Sequence, residues 1–275
     1  MKVALIIVNY NNKKLTTECL QSFTKVFEKI SLFVVDNSTD LSQRFENADI
    51  EISNKQSIEV VIPEQNIGYF PAISFCFEII KNLDFDYFLI GNNDVICISD
   101  WYKVLKNSKE TIDKYPVISP KIINLDGFDQ NPLIPVSYSL LHIFRLVVYN
   151  SNYHLSKFLF ALLIRFKLYN KSDVMQKKHN VEGEIAIGFG AFYIITRDFL
   201  NSGIKLPINT FLMGEEQFLY INLKKVNKSF YYLPSLILTH KEHSSVSLIS
   251  RKHLWTLNKN AFWKYIWKMP VKLFK

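Results

Sequence analysis

Between Val3 and Val8 every side chain is apolar, and the chain then turns polar at Asn9-Tyr10-Asn11-Asn12. A short apolar run bounded in this way reads as a strand buried on both faces. Leu15, Cys19, Leu20, Phe23 and Phe27 follow at helical spacing. Leu32 to Val35 is a second strand, and a third lies within Glu59 to Pro63. Ala72, Phe75, Cys76, Ile79, Ile80 and Leu83 then recur at i, i+3, i+4, i+7, i+8 and i+11, which predicts a helix with one apolar face. Tyr87 to Ile90 makes a fourth strand, and Ser99 or Asp100 can cap a helix beginning at Trp101. Strands that alternate with helices and are apolar on both faces predict an α/β fold, with a mainly parallel central sheet flanked by helices.

The second half is less regular. Residues 138–169 carry two apolar-basic stretches, Leu140 to Tyr149 and Leu155 to Tyr169. Gly188 to Thr196 reads as a buried strand entered through glycines, Met213 to Val226 as a helix, and Ser229 to Leu238 as a strand interrupted at Pro234. There is no internal repeat.

Composition narrows the class. With 275 residues, 48% of them apolar and 21% charged, the chain can build one large domain with a modest appendage. Cys19, Cys76 and Cys97 form no C-x-x-C pair, so they read as ordinary buried thiols and not as a disulfide framework or a zinc site. The first apolar run is too short for a signal peptide, and no window reaches the ~18 apolar residues of a spanning helix. The expected location is cytoplasmic, with any membrane contact peripheral.

In an open α/β sheet, ligands bind beyond the carboxyl ends of the strands. Those ends here carry Asn9-Tyr10-Asn11-Asn12, Asp36-Asn37-Ser38, Asn66-Ile67-Gly68-Tyr69 and Asn92-Asn93-Asp94. One such cluster is ordinary turn chemistry, but four along one edge describe a polar crevice. No G-x-G-x-x-G or P-loop glycine pattern follows the first strand, which weighs against dehydrogenase and P-loop functions. Asp94 can supply an oxygen ligand to Mg²⁺ or Mn²⁺, Asp36 can accept from a base or ribose, and Tyr10 can stack on a base. Taken singly, Asp36 and Asp94 fit turn caps equally well.

The ordered set Ile7-Val8-Asn9-Tyr10-Asn11, Val34-Val35-Asp36-Asn37-Ser38, Asn66-Ile67-Gly68-Tyr69 and Asn92-Asn93-Asp94-Val95 resembles the motifs of family 2 glycosyltransferases with the GT-A fold, above all the bacterial rhamnosyltransferase-like group. It continues through Gly190-Ala191-Phe192 with Arg197 and Phe199, Gly214-Glu215-Glu216, and Pro234 to His240, covering residues 1–247. The resemblance implies a nucleotide-binding half at 1–100 and an acceptor and catalytic half at 101–247, the latter holding the 138–169 insert. It implies that Asn9, Tyr10, Asp36, Asn66, Gly68, Asn92 and Asn93 bind the nucleotide. Asn92-Asn93-Asp94 stands where the family has a metal-binding D-x-D, with Asn92 in place of the first Asp. Asp94 and His240 would then hold a divalent metal, Mg²⁺ or Mn²⁺, and Glu216, with Glu215 beside it, would be the catalytic base.

Each of these assignments has a plainer counterpart. Acids in the first turn of a helix favour its dipole without any chemistry, and a lone histidine is more often structural. Ser74 departs from the asparagine common in the family. Glu182 and Glu184 are rival acids but read as turn residues ahead of a buried strand.

The net charge of +8 concentrates at the end of the chain: no acid follows Glu242, while seven basic residues, Arg251, Lys252, Lys259, Lys264, Lys268, Lys272 and Lys275, do. Trp255, Trp263 and Trp267 intersperse with them, the composition of an interfacial anchor on an anionic membrane. The alternative is a terminal helix whose tryptophans dock on the protein itself. Residues 248–275 are thus expected to form a basic aromatic tail, and 138–169 to join the same surface or cover the acceptor site. No nucleic-acid-binding module accompanies the charge. The resulting expectation is an inverting glycosyltransferase. It would use a nucleotide-sugar donor and a glycan or lipid-linked acceptor of capsule or O-antigen synthesis, on the inner face of the cell membrane. A sugar nucleotidyltransferase would want a glycine-rich basic loop that Asn11-Asn12-Lys13-Lys14 lacks, and a non-catalytic nucleotide-sugar-binding protein would be indifferent to loss of Glu216.

Overall fold

The computed structural model describes residues 1–136, 140–165, 180–242 and 250–269. Residues 138, 139 and 166–169 of the predicted insert lie outside the described residues, as do 243–249 and the tail segment with Pro270, Lys272 and Lys275.

Four parallel strands open the chain: β1 (Val3–Asn9), β2 (Ser31–Asp36), β3 (Ser57–Val61) and β4 (Tyr87–Asn92). β5 (Val95–Cys97), β6 (Val117–Asn124), β7 (Gly183–Ile185), β8 (Phe192–Thr196) and β9 (Phe230–His240) complete a nine-stranded sheet. Its order is β3-β2-β1-β4-β8-β6-β9-β5, with β7 pairing β9 off this path. β6 and β9 run with the first four strands, whereas β5, β7 and β8 run against their neighbours.

The all-apolar β1 is central because both its faces are covered. Val3, Leu5 and Ile7 face one core with α1 (Lys13–Thr24), α3 (Trp101–Asn107) and α4 (Lys109–Ile112). Ala4, Ile6 and Val8 face the other, with α2 (Tyr69–Ile80), α7 (Arg197–Asn201) and α8 (Glu215–Lys225). The side chains of a strand alternate between faces, so an uninterrupted apolar run feeds two helix layers at once. Asp100 is the cap of α3, its carboxylate accepting from Lys103 N at 3.0 Å. All three cysteines are free and buried.

Several elements depart from the sequence pattern. α2 buries Phe70, Ala72, Ile73, Cys76, Phe77 and Ile80, and leaves Phe75 and Ile79 exposed, so its inward face is rotated from the predicted stripe. β5, β6 and β7 were not expected. Pro120 argues against a central strand, since proline cannot donate to a ladder. It is accommodated where the β6–β9 register slips: Pro120 faces Leu233 and Lys121 faces Ile237, so Pro234 to Leu236 bulge out. Glu184, read as a turn residue, lies exposed on β7.

The insert supplies α5 (Leu140–Ser151) and α6 (Tyr153–Arg165). The tail is a helix, α9 (Arg251–Tyr265), that docks on the protein. Trp255 Nε1 donates to Tyr149 O at 3.0 Å and Trp263 Nε1 to Asn150 O at 3.2 Å, both on α5. Trp255, Ala261, Phe262 and Tyr265 are buried. Most of the predicted anchor's aromatic surface is therefore internal, because burying it against α5 and α8 removes apolar area from water and satisfies the indole N–H groups. Trp267 alone of these rings is left at 81% exposure.

Candidate active site

The parallel register brings the polar strand ends level. Asn9 stands opposite Asp36 on β2, and Val8 opposite Asn92 on β4. β8 runs the other way, so the segment that leads into it, Gly188 to Ala191, arrives at this same edge, with Phe192 opposite Gly91. β9 ends there too: Val95 on β5 pairs with His240, and Lys241 N donates to Asp94 O at 2.8 Å. Strand pairing thus sets His240 beside Asp94.

Asp94 and His240 are 1% and 6% exposed, and His240 Nε2 lies 3.2 Å from Asp94 Oδ1. That contact is not aligned as a hydrogen bond; neither Asp94 oxygen nor His240 Nε2 has a hydrogen-bond partner. Buried polar atoms are almost always satisfied, so lone pairs converging without a donor fit a cation. The Asp94 carboxylate suits Mg²⁺ or Mn²⁺, which are commonly held by one or two carboxylates with substrate phosphates and water filling the rest, and the imidazole favours a transition metal such as Mn²⁺ over Mg²⁺. Among the described residues no group of three or more His, Cys, Asp or Glu side chains assembles, so a cation here would depend on the substrate's oxygens.

The acid pair opens α8. Gly214, at φ +82°, lets the chain turn into the helix, and a Cβ there would meet Ala261 Cβ of α9 at 2.9 Å. Glu216 Oε1 accepts from Gly190 N at 3.3 Å. A Cβ on Gly190 would lie 2.7 Å from that oxygen, so a side chain there would push the carboxylate aside. The Gly190 carbonyl accepts from Tyr69 Oη at 3.1 Å, which fixes the peptide from its other side. Burial, then the charge of Glu216, pushes Glu215 up to about 8, and its Oε2 has no hydrogen-bond partner. Burial raises Glu216 as well, opposed by the backbone N–H of Glu216 and Gly190. The Tyr69 hydroxyl is held well above its ordinary range by burial and then by the charges of Glu215, Asp94 and Glu216. The acid pair and the Asp94 carboxylate thus act on one phenol.

The remaining predicted residues divide into framework and surface. Asn9 is fully buried: its Oδ1 accepts from Thr16 Oγ1 at 2.7 Å, and its Nδ2 reaches Asp36 Oδ2, Ser38 Oγ and Gln43 O. Asp36, 2% exposed, accepts from Asn9 Nδ2, Ser38 N and Phe45 N. These two brace the crevice floor. Asn93 Nδ2 donates to Thr16 Oγ1 at 2.9 Å. Asn66 Oδ1 accepts from Asn37 Nδ2 at 2.7 Å and from Gly68 N at 2.9 Å. Gly68, at φ +92°, leaves room for Phe211 O, which a Cβ would approach to 2.2 Å. Tyr10 and the Asn92 side chain are half-buried and without side-chain hydrogen bonds among the described residues, so they are available to a ligand. Thr16, Asn37 and Tyr69 join the site although sequence reasoning gave them no role; Asn37 and Tyr69 stood inside the motifs, whereas Thr16 carried no signal.

A cavity of about 720 Å³ lies outside this crevice, between α2 and residues 208–211, lined by Pro71, Phe75, Ile79, Ile208 and Phe211 among others. None of the crevice's acids lines it, so volume does not locate the chemistry.

No protein-family model and no curated protein matches the sequence. Solved structures do match. A crystal structure of S. aureus TarS aligns with TM-score 0.50 at 17% identity, over 88% of this chain and 60% of that one. GalNAc-T7, solved with UDP, GalNAc and Mn²⁺, aligns with TM-score 0.59 at 13% identity, over 89% of this chain and 44% of that one. The fold is GT-A. TarS in complex with UDP-GlcNAc also aligns, with TM-score 0.50 at 18% identity, over 91% of this chain and 62% of that one. The chain therefore spans between 44% and 62% of the length of these GT-A chains.

Proposed function

We propose that the chain is an inverting glycosyltransferase moving a sugar from a nucleotide-diphosphate-sugar to an acceptor hydroxyl. The observation that carries this reading is two groups gathered around one crevice: the donor-less lone pairs of Asp94 and His240, and the acid pair of buried Glu215 and half-buried Glu216, both of which act on the Tyr69 hydroxyl. Neighbours of the same fold solved with UDP, UDP-GlcNAc or Mn²⁺ support it.

A divalent cation, when bound, would neutralise the diphosphate charge that grows as it leaves. Asp94 and His240 would hold it. Tyr10 would stack on the base, and Asn92 would offer its free amide to the donor. Glu216, fixed by the Gly190 N–H, takes the acceptor proton as the acceptor oxygen bonds to the anomeric carbon. The carbon–oxygen bond to the diphosphate breaks, and the electron pair departs with the nucleotide. Attack from the face opposite the leaving group inverts the centre, through an oxocarbenium-like sugar. The Gly190 N–H favours the charged form of Glu216, whereas Glu215 Oε2, buried without a partner, favours the protonated form.

The resemblance of the ordered motifs to the rhamnosyltransferase-like group supports a hexosyl donor. A lipid-linked glycan acceptor and a peripheral place on an anionic membrane are supported by the basic α9. Exposed Phe144 on α5, Phe158 on α6 and Trp267 beside Arg145, Lys157 and Lys268 add to that surface. No helix among the described residues is long and apolar enough to cross a membrane.

Thermal-shift screening against UDP-, GDP-, dTDP- and CMP-sugars, with and without Mn²⁺, tests the reading. Metal-dependent stabilisation by one nucleotide class, followed by nucleotide release with an acceptor glycan, is the expected result. A folded sample that responds to no donor would defeat it, and binding without turnover would make the chain a nucleotide-sugar-binding protein.

A further inference from the structure

The His240 side chain has a hydrogen-bond partner that no motif identifies. Its Nδ1 lies 2.8 Å from Gln130 Oε1. The Gln130 amide is held from its far side, where Nε2 donates to Glu242 Oε1 at 2.8 Å. Glu242 is itself steadied by Asn124 Nδ2 at 3.4 Å, and Asn124 is the residue paired with His240 across β6 and β9. Only one amide orientation satisfies this chain. A carboxylate accepts and cannot donate, so Gln130 must turn its NH₂ to Glu242 and its oxygen to His240. That oxygen can then be met only by an Nδ1–H.

The consequence falls on the other ring nitrogen. In a neutral imidazole with Nδ1 protonated, Nε2 carries a lone pair. It faces Asp94 Oδ1 at 3.2 Å, and neither atom has a donor. Two acceptors at that distance repel unless a cation lies between them. In the opposite tautomer Nε2 would carry a hydrogen on this side, 3.2 Å from Asp94 Oδ1, and the lone pair a cation needs would be gone. Glu242 adopts φ +54°, a left-handed backbone unusual for a residue with a side chain, at the point where its carboxylate reaches Gln130.

We propose that Gln130, oriented by Glu242, is a positioning residue that fixes the Nδ1–H tautomer of His240 and so keeps Nε2 open as a ligand beside Asp94. This rests on the reading of Asp94 and His240 as cation ligands. Partners beyond the ligands commonly tune such sites, and their loss costs about 10- to 100-fold in metal affinity.

The test uses the full chain with ¹⁵N-labelled histidine, above the ordinary histidine titration range and without metal, together with Mn²⁺ titration followed by water-proton relaxation. Wild type is expected to show Nδ1–H at His240. Gln130→Leu should move the proton to Nε2 and weaken Mn²⁺ binding about 10- to 100-fold. Exchanging the polarity of the pair, Gln130→Glu with Glu242→Gln, keeps an acceptor facing Nδ1 and should restore both readings. Glu242→Leu, at an exposed position, frees the amide without touching the core and should give mixed tautomers. Persistence of Nδ1–H in Gln130→Leu and Glu242→Leu, or unchanged Mn²⁺ affinity in both, overturns the proposal. Asp94→Ala separates the two ideas. If it binds Mn²⁺ as tightly as wild type, the cation reading fails whatever the tautomer does.

Discussion

Asp94 Oδ1 and His240 Nε2 lie 3.2 Å apart with no proton donor for either, at the point where β4 gives way to β5 and β9 ends. Asp94→Asn supplies an amide that can donate to His240, and it removes the charge a cation needs. Donor-induced stabilisation in the presence of Mn²⁺ should fall at least about tenfold in apparent affinity, while the metal-free melting temperature holds or rises. An Asp94→Asn variant that binds donor and Mn²⁺ normally would remove Asp94 from the site.

Glu216 is assigned the acceptor proton. Glu216→Gln keeps the shape and the Gly190 contact but cannot take a proton. Turnover should drop by about 10²- to 10⁴-fold with nucleotide-sugar affinity nearly unchanged. Equal loss of binding and turnover would point to a structural role instead.

Gly190 leaves room for Glu216, so Gly190→Ala should displace the carboxylate, with Cβ otherwise 2.7 Å from Oε1. The obstructed atom is the end of a side chain, so the fold should survive. A kcat loss with little change in melting temperature is expected, and wild-type kcat would show that Glu216 works from another rotamer.

Stability should depend on pH through Glu215. Its carboxyl is raised from the ordinary 4.5 to about 8, so the folded chain keeps a proton that the unfolded chain releases. Its contribution is full below the ordinary carboxyl range and is lost as pH rises through that window to about 8. Glu215→Gln mimics the protonated form. Melting curves across the window should be flatter than wild type, and higher at its alkaline end. An unaltered pH slope would contradict the burial of this group.

The terminal helix is part of the packing, with Phe262 at 1% exposure. Phe262→Ala should cost about 3–5 kcal/mol in urea unfolding, and deletion of 251–275 should destabilise the chain, not merely release it from vesicles. Trp267→Ala should leave stability unchanged and weaken binding to anionic liposomes. Liposome binding indifferent to Trp267 and to added salt would rule out this surface as the membrane contact.

Much of this was legible in the residues. The apolar run from Val3 to Val8 could only be a doubly covered strand. The polar groups after it, after Val35 and after Ile90 had to fall on one edge once their strands ran parallel. The same edge holds Asn9 and Asp36, but nothing in their spacing shows that they satisfy one another, because which amide meets which carboxylate depends on loops around Gln43 and Phe45. Gln130 was invisible for a similar reason: a lone glutamine in a loop has no period or spacing to mark it.

Periodicity is a local property, and it determined which segments become strands and helices, and which residues end them. Partner choice between strands is not local. The antiparallel entry of β8 at Gly190, the pairing of Val95 with His240 that delivers a histidine to Asp94, and the docking of Trp255 and Trp263 on α5 were all decided by how the whole chain buries its apolar faces. Register across distant strands follows from that global burial, which no short stretch of sequence encodes.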